Sequence, residues 1–200
     1  MRQGAPNVQI AVVYHSRTGH TAVIAEHVLK GVASVGRVEA RLIDIESGEP
    51  PWSYLHDCAG ILFGCPTHFG SVSAEMKRFL DATDAFWREM LWRDKLAAGF
   101  TCAGEPSGDK LAVLQQLAIF AGQHGMIWIG MDPMKDAGDA GRRPEGYNRH
   151  GGYIGAMADA DGSALGPNSP PPQDRATAEC LGRRVTELAV AWASVVRPHR

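Results

Sequence analysis

The run Tyr14-His15-Ser16-Arg17-Thr18-Gly19-His20-Thr21 gathers hydroxyl donors around a glycine, between two segments of different periodicity. Before it, Val8 to Tyr14 is short, mostly apolar and rich in β-branched residues, the pattern of a strand covered on both faces. After it, Ile24, Val28, Val32 and Val35 recur at helical steps, so Thr21 to Val35 reads as a helix that Gly36 closes. A strand-to-helix turn aims unpaired N–H groups and the positive end of the helix dipole at one point, which favours an anion. Ser16, Thr18 and Thr21 add hydroxyls, and Gly19 permits close backbone approach. Such a turn suits a phosphate monoester held mainly by neutral donors. It carries neither GxxxxGK[ST] nor GxGxxG. The same residues also suit a plain helix start, with Ser16 or Thr18 as N-cap.

Two further loops set polar donors beside apolar groups. Gly64-Cys65-Pro66-Thr67-His68-Phe69-Gly70 offers a stiff backbone at Pro66, donors at Thr67 and the loop N–H groups, and an apolar wall at Phe69. Phe69 equally suits a plug for the core. Phe100-Thr101-Cys102-Ala103-Gly104-Glu105-Pro106-Ser107-Gly108-Asp109 leaves the fourth strand into a second polar loop. His124 stands just before an apolar run, where a histidine either titrates near neutrality or caps a helix. Trp87 is either cavity lining or packing.

The remaining chain supplies the elements that position these loops. Val38 to Ile45, Ala59 to Gly64, Leu96 to Cys102 and Met126 to Met131 read as further strands. Helices alternate with them: one carries Val72, Met76, Leu80 and Thr83, the next Leu111, Leu114, Ala118 and Ala121. The terminal one carries Leu181, Val185, Leu188, Trp192 and Val195. This alternation predicts an α/β fold with three layers, built as one domain over residues 1–200 around a five-stranded parallel sheet of order 2-1-3-4-5. Ligands of such sheets sit outside the carboxyl ends of the strands, where the order reverses. Residues 132–174 are rich in Gly and Pro and are expected to form a long loop without regular structure.

Bulk properties narrow the class. Of 200 residues 44% are hydrophobic and 21% charged, with net charge −2, so neither a nucleic-acid footprint nor a polybasic membrane patch is present. No apolar run reaches the roughly 18 residues of a membrane span. Met1 to Asn7 holds no signal-type apolar stretch. Cys58, Cys65, Cys102 and Cys180 lack metal-type spacing, and the eight histidines form no HExxH pair. A cytoplasmic protein with reduced thiols and no bound metal is expected.

Val12-Val13-Tyr14-x-Ser16-x-x-Gly19-x-Thr21-x-x-x-Ala25 matches the FMN-phosphate signature of flavodoxins at every specified position. The Gly64–Gly70 loop and the following Ser73-Ala74-Glu75-Met76-Lys77-Arg78-Phe79-Leu80-Asp81 closely resemble the WrbA-type NAD(P)H:quinone oxidoreductases, and His124-Gly125-Met126 is similar to that family's H-G-M. The resemblance covers most of the chain from Val8 onward, with Gly151-Gly152 and Asp161-Gly162-Ser163 similar to the family's glycine-rich tail. It implies a flavodoxin-like fold, FMN as cofactor, and NADH or NADPH as co-substrate. Ser16, Arg17, Thr18, Gly19, His20 and Thr21 fall at its phosphate site. Pro66, Thr67, His68, Phe69 and Gly70, then Cys102, Ala103, Gly104 and Glu105, fall at its ring. His124 falls where the family places a histidine beside the flavin, and Trp87 where it places a cavity aromatic across a subunit boundary. Glu105 and Pro106 stand where the family carries small residues. Only Ser47 to Cys58 fills the place of an insertion usual between the second and third strands.

The resemblance implies hydride transfer from the nicotinamide to a quinone-like acceptor in a ping-pong cycle, with His124 steadying or protonating the acceptor, in a homo-dimer or homo-tetramer. The competing expectations are an electron-carrier flavodoxin, an FMN or azo reductase of the same fold, and a flavin-free scaffold. Arg41, Arg142 and Arg143 are candidates for a nicotinamide 2′-phosphate by charge alone.

Overall fold

The computed structural model describes residues 8–132, 145–160 and 165–195. The early elements are β1 (Val8–Tyr14), α1 (His20–Ala33), β2 (Val38–Asp44), α2 (Trp52–Asp57), β3 (Gly60–Pro66), α3 (Ala74–Asp81) and α4 (Asp84–Arg88). They are followed by β4 (Leu96–Ala103), α5 (Lys110–Gln123), β5 (Ile127–Trp128), β6 (Ala156–Asp159) and α6 (Pro172–Val195). The sheet order is β2-β1-β3-β4-β5, every pairing is parallel, and β6 also pairs with β4.

Strands β1, β3 and β4 are buried along nearly their whole length because helices cover both faces. On one face Ile10, Val12, Leu62 and Phe100 pack with Ile24 and Val28 of α1 and Leu181 and Val185 of α6. On the other, Val13, Ile61 and Phe63 meet Met76 of α3, Val113 and Leu117 of α5, and the fully buried Trp92. Each such Phe, Leu or Ile contributes about 1.5–3 kcal/mol by leaving water. Helices α1 and α6 cross at backbone contact: a Cβ on Gly31 would lie 2.0 Å from the Glu179 carbonyl oxygen, and one on Gly182 would lie 2.1 Å from that of Val28.

Several expectations change here. The fifth strand position is filled by two pieces, β5 beside Leu96–Ala97 and β6 beside Phe100–Ala103. After Ile129 donates to the Ala97 carbonyl (2.7 Å) the chain peels away, and Met131 pairs with Tyr153 instead (2.8 Å). Residues 145–160 therefore hold a strand inside the segment expected to be irregular. Helix α1 stops at Ala33, and the left-handed residue beyond it is Arg37 (φ 66°), not Gly36. Leu111, Leu188 and Trp192 face outward; Leu117, Phe120, Ala178 and Ala189 take the buried positions. Arg142, Arg143 and Asp161-Gly162-Ser163 lie outside the described residues. Among the described residues, no helix is long and apolar enough to cross a membrane.

Candidate functional site

Three loops converge at the carboxyl edge of β1, β3 and β4. The first leaves β1 still in register, the His15 N–H donating to the Gly64 carbonyl (3.0 Å). The His15 ring is buried; its Nδ1 pairs with Ser73 Oγ at 2.8 Å, and its Nε2 lies 3.3 Å from Glu46 and 3.7 Å from Glu75. Ser16 Oγ accepts the Ala22 N–H (3.0 Å), which ties the loop to α1 and leaves the hydroxyl proton free to donate. Thr18 Oγ1 meets His20 Nδ1 (3.0 Å). The first turn of α1 holds no acidic residue, so its amides face the loop uncompensated. Gly19 sits at φ 91°, and a Cβ there would lie 2.4 Å from Leu165 Cδ1, so Leu165 covers the loop closely. Arg17 and Thr18 are exposed, whereas Thr21 is buried.

The second loop is pinned at its base. The Thr67 N–H donates to the Cys102 carbonyl (2.8 Å), and Thr67 Oγ1 meets Thr101 Oγ1 at 2.8 Å. His68 and Ser71 pair backbone to backbone around Phe69 (φ 49°) and Gly70 (φ 68°), two left-handed residues as in a type I′ turn. Gln116 of α5 clamps this turn, accepting from Ser71 Oγ (3.1 Å) and the Val72 N–H (3.4 Å) and donating to the Gly70 carbonyl (3.2 Å). The Phe69 ring at the tip is fully exposed.

The third loop, Gly104 to Asp109, has Gly104, Glu105, Pro106 and Ser107 exposed. It touches the second: a Cβ on Gly70 would meet Asp109 Cβ at 3.5 Å. Two residues expected at the ring belong to β4 instead. The Cys102 and Ala103 side chains are buried, and burial pushes the Cys102 thiol up to about 12. The Cys102 carbonyl accepts the Thr67 N–H.

His124 and Trp87 are not brought to these loops within one chain. Helix α5 starts beside the third loop and ends at Gln123; its 14 residues span about 20 Å, which leaves His124 toward the amino edge of the sheet. There His124 is buried against Trp92 and Phe120. Thr83 Oγ1 donates to the Leu80 carbonyl (2.6 Å), so at 3.0 Å it accepts from His124 Nε2–H. Among the described residues Nδ1 has no hydrogen-bond partner. Burial lowers the His124 pKa, which keeps the ring neutral. His124, Thr83, Trp87, Ile119 and Gln116 line a groove of about 440 Å³ between α3 and α5. Arg41 lies on β2, paired with Glu39 (3.2 Å) and stacked 4.0 Å over Tyr54.

Ser73 and Thr101 fall inside runs that resemble the family, whereas Gln116 and Leu165 shape the loops from outside every sequence motif. Gln116 carries one local sign: with Gln115 it interrupts the otherwise apolar run from Leu111 to Phe120.

The residues present fit an FMN. Loop one supplies helix-terminal amides, the free Ser16 proton and a buried His20 Nε2 without a partner among the described residues. Loops two and three supply the uncovered aromatic and exposed backbone. An α/β sheet of this order, with a donor-rich turn after β1 and braced loops after β3 and β4, defines a flavodoxin-like protein.

Comparison with known proteins agrees. Residues 53–133 match the family described as NADPH-dependent FMN reductase. The chain is 34% identical over 185 residues to flavodoxin FldP of Pseudomonas aeruginosa, covering 88% of this chain and 94% of that protein. It is 30% identical to an NAD(P)H dehydrogenase (quinone) of Archaeoglobus fulgidus, covering 90% and 97%. The crystal structure of a flavodoxin, WrbA-like protein from Agrobacterium tumefaciens superposes with a TM-score of 0.68 at 34% identity, covering 91% and 97%. The chain belongs to the WrbA-type NAD(P)H:quinone oxidoreductases of the flavodoxin-like FMN superfamily.

Proposed function

We propose that this chain passes hydride from NADH or NADPH to a quinone-like acceptor by a ping-pong cycle at the carboxyl edge of its sheet. The observation that carries this reading is the convergence of three braced loops beneath an uncovered Phe69 ring. Bound FMN would supply the two-electron chemistry, taking hydride from the nicotinamide and yielding it to the quinone. Ser16, Thr18, His20, Thr21 and the α1 amides hold the phosphate, with Arg17 free to reach its outer oxygens. Thr67 and the second-loop amides bond the ring's polar edge, and Pro66, His68, Phe69 and Gly70 form its wall. Gly104 and Glu105 of the third loop face the same space.

Trp87 and His124 enter this scheme through a second copy. Their groove runs along α5 from Gln116 to His124, so in a homo-dimer or homo-tetramer it caps a neighbour's flavin and lines the acceptor's path. Phe69, Trp87 and Ile119, all exposed, supply apolar surface for that contact. Protonating a quinone would require the His124 imidazolium that burial disfavours, so neutral His124 serves as part of the groove wall.

Steady-state rates with NADPH and benzoquinone varied together, and no partner protein added, test the reading. Parallel double-reciprocal lines are expected; intersecting lines contradict the ping-pong order. The similarity to a protein named flavodoxin favours a second reading, an electron carrier. That reading requires negligible turnover in the same assay.

A further inference from the structure

Lys110, the first residue of α5, is fully buried. Its ammonium has three N–H bonds and three acceptors: the carbonyls of Glu105 (3.1 Å) and Pro106 (3.0 Å) and Asp159 Oδ1 (2.6 Å). Full pairing offsets what an isolated charge would cost in the interior. Asp159 ends β6 and shares Arg149 with Asp174 of α6, to which Arg149 Nε donates at 2.7 Å. Asp174 Oδ2 also accepts the Asp159 N–H (2.9 Å) and faces His150 Nε2 (3.3 Å). Burial raises the Asp174 pKa, but bonds from His150 and Arg149 outweigh it and hold the carboxyl below its ordinary range. His150, Asp159 and Asp174 lie close enough to ligate a metal. Lys110 and Arg149 already balance the two carboxylates, so the cluster reads as an anchor.

What the anchor holds is the third loop. It draws the Glu105 and Pro106 carbonyls inward. In a trans peptide the next N–H points opposite to the carbonyl. Pro106 has no N–H, so the Ser107 N–H is the donor that this pull turns outward, on an exposed stretch that touches the second loop through Asp109 and Gly70. We propose that Lys110 is a positioning residue for the flavin ring, aiming the Ser107 N–H at its polar edge from a loop tied through Asp159 to β6 and α6. This assigns a structural counterpart to Glu105 and Pro106: where the loop loses a donor to proline, a buried ammonium fixes the next one. The inference rests on the FMN reading above.

The test compares FMN and riboflavin affinities of wild type, Lys110→Met and Lys110→Met/Asp159→Asn by fluorescence titration, with thermal unfolding alongside. The double variant removes the buried ammonium together with its half-buried partner charge, so it is expected to fold. Its Kd for both flavins should rise by the same factor, roughly tenfold for one misdirected hydrogen bond. The riboflavin-to-FMN ratio, which reports the phosphate loop, should stay put. Unchanged affinity in a folded variant overturns the proposal, and so does a changed ratio, which marks general loosening. If neither variant folds, amide exchange of the wild type decides. Riboflavin should slow Ser107 N–H exchange at least about tenfold, and no slowing overturns the assignment. Wild type that binds neither flavin contradicts the FMN reading instead.

Discussion

Thr67 and Thr101 meet hydroxyl to hydroxyl at 2.8 Å, while Thr101 Oγ1 also donates to the Cys65 carbonyl at 2.7 Å. With its proton so committed, Thr101 accepts from Thr67, and the loop after β3 is locked to β4 at the point where both strands end. Thr101→Val keeps the shape and removes both bonds. The expected cost is about 1–2 kcal/mol, read as a lower urea midpoint at unchanged slope, together with several-fold weaker FMN binding. An unchanged midpoint would show that the pair holds nothing.

Phe69 spends conformational energy without burying its ring. It holds φ 49° at full exposure, where a non-glycine residue costs about 1–2 kcal/mol. Asn tolerates that region better. Phe69→Asn should therefore leave the apoprotein at least as stable by thermal unfolding while lowering kcat/KM for the quinone. A destabilised apoprotein would mean that Phe69 packs in the free chain.

Gly19 joins left-handed backbone to close cover by Leu165. Gly19→Ala should distort the phosphate turn, raising the Kd for FMN much more than that for riboflavin. Equal loss for the two flavins would place the damage elsewhere.

The pH dependence of stability follows from His124. Its folded pKa lies below the ordinary 6.5, so between the two values the unfolded chain binds more protons and stability rises with pH. The contribution is complete above about 6.5 and is lost as pH falls toward the folded value. His124→Gln should flatten that part of the stability curve relative to wild type, measured by urea unfolding between about pH 7 and 5. Parallel curves for the two proteins would remove the assignment.

The layers and strand order were legible in the sequence because β1, β3 and β4 are apolar runs and α1 and α3 carry clean stripes. Short elements were not: α2 (WSYLHD) and α4 (DAFWR) are too brief to show a period, and β6 (AMAD) has little strand propensity. Pairing with β4 forms β6, and that partner lies about 55 residues away in the chain. At the site, motif residues of loops one and two fell at the carboxyl edge. Cys102 and Ala103 end β4 at the same edge, but the strand runs one residue past its expected end and keeps their side chains inside. Local spacing also gives no sign that a 14-residue helix carries His124 away from the third loop. Nor does a lysine announce in sequence that it is buried, because the carboxylate that makes Lys110 tolerable belongs to β6.

Titrating the purified apoprotein with FMN tests the central claim most directly. One flavin per chain should bind saturably, with its fluorescence quenched, and the bound colour should bleach anaerobically with NADPH and return on adding benzoquinone. A protein that leaves the fluorescence of added FMN unchanged at every concentration would contradict the account.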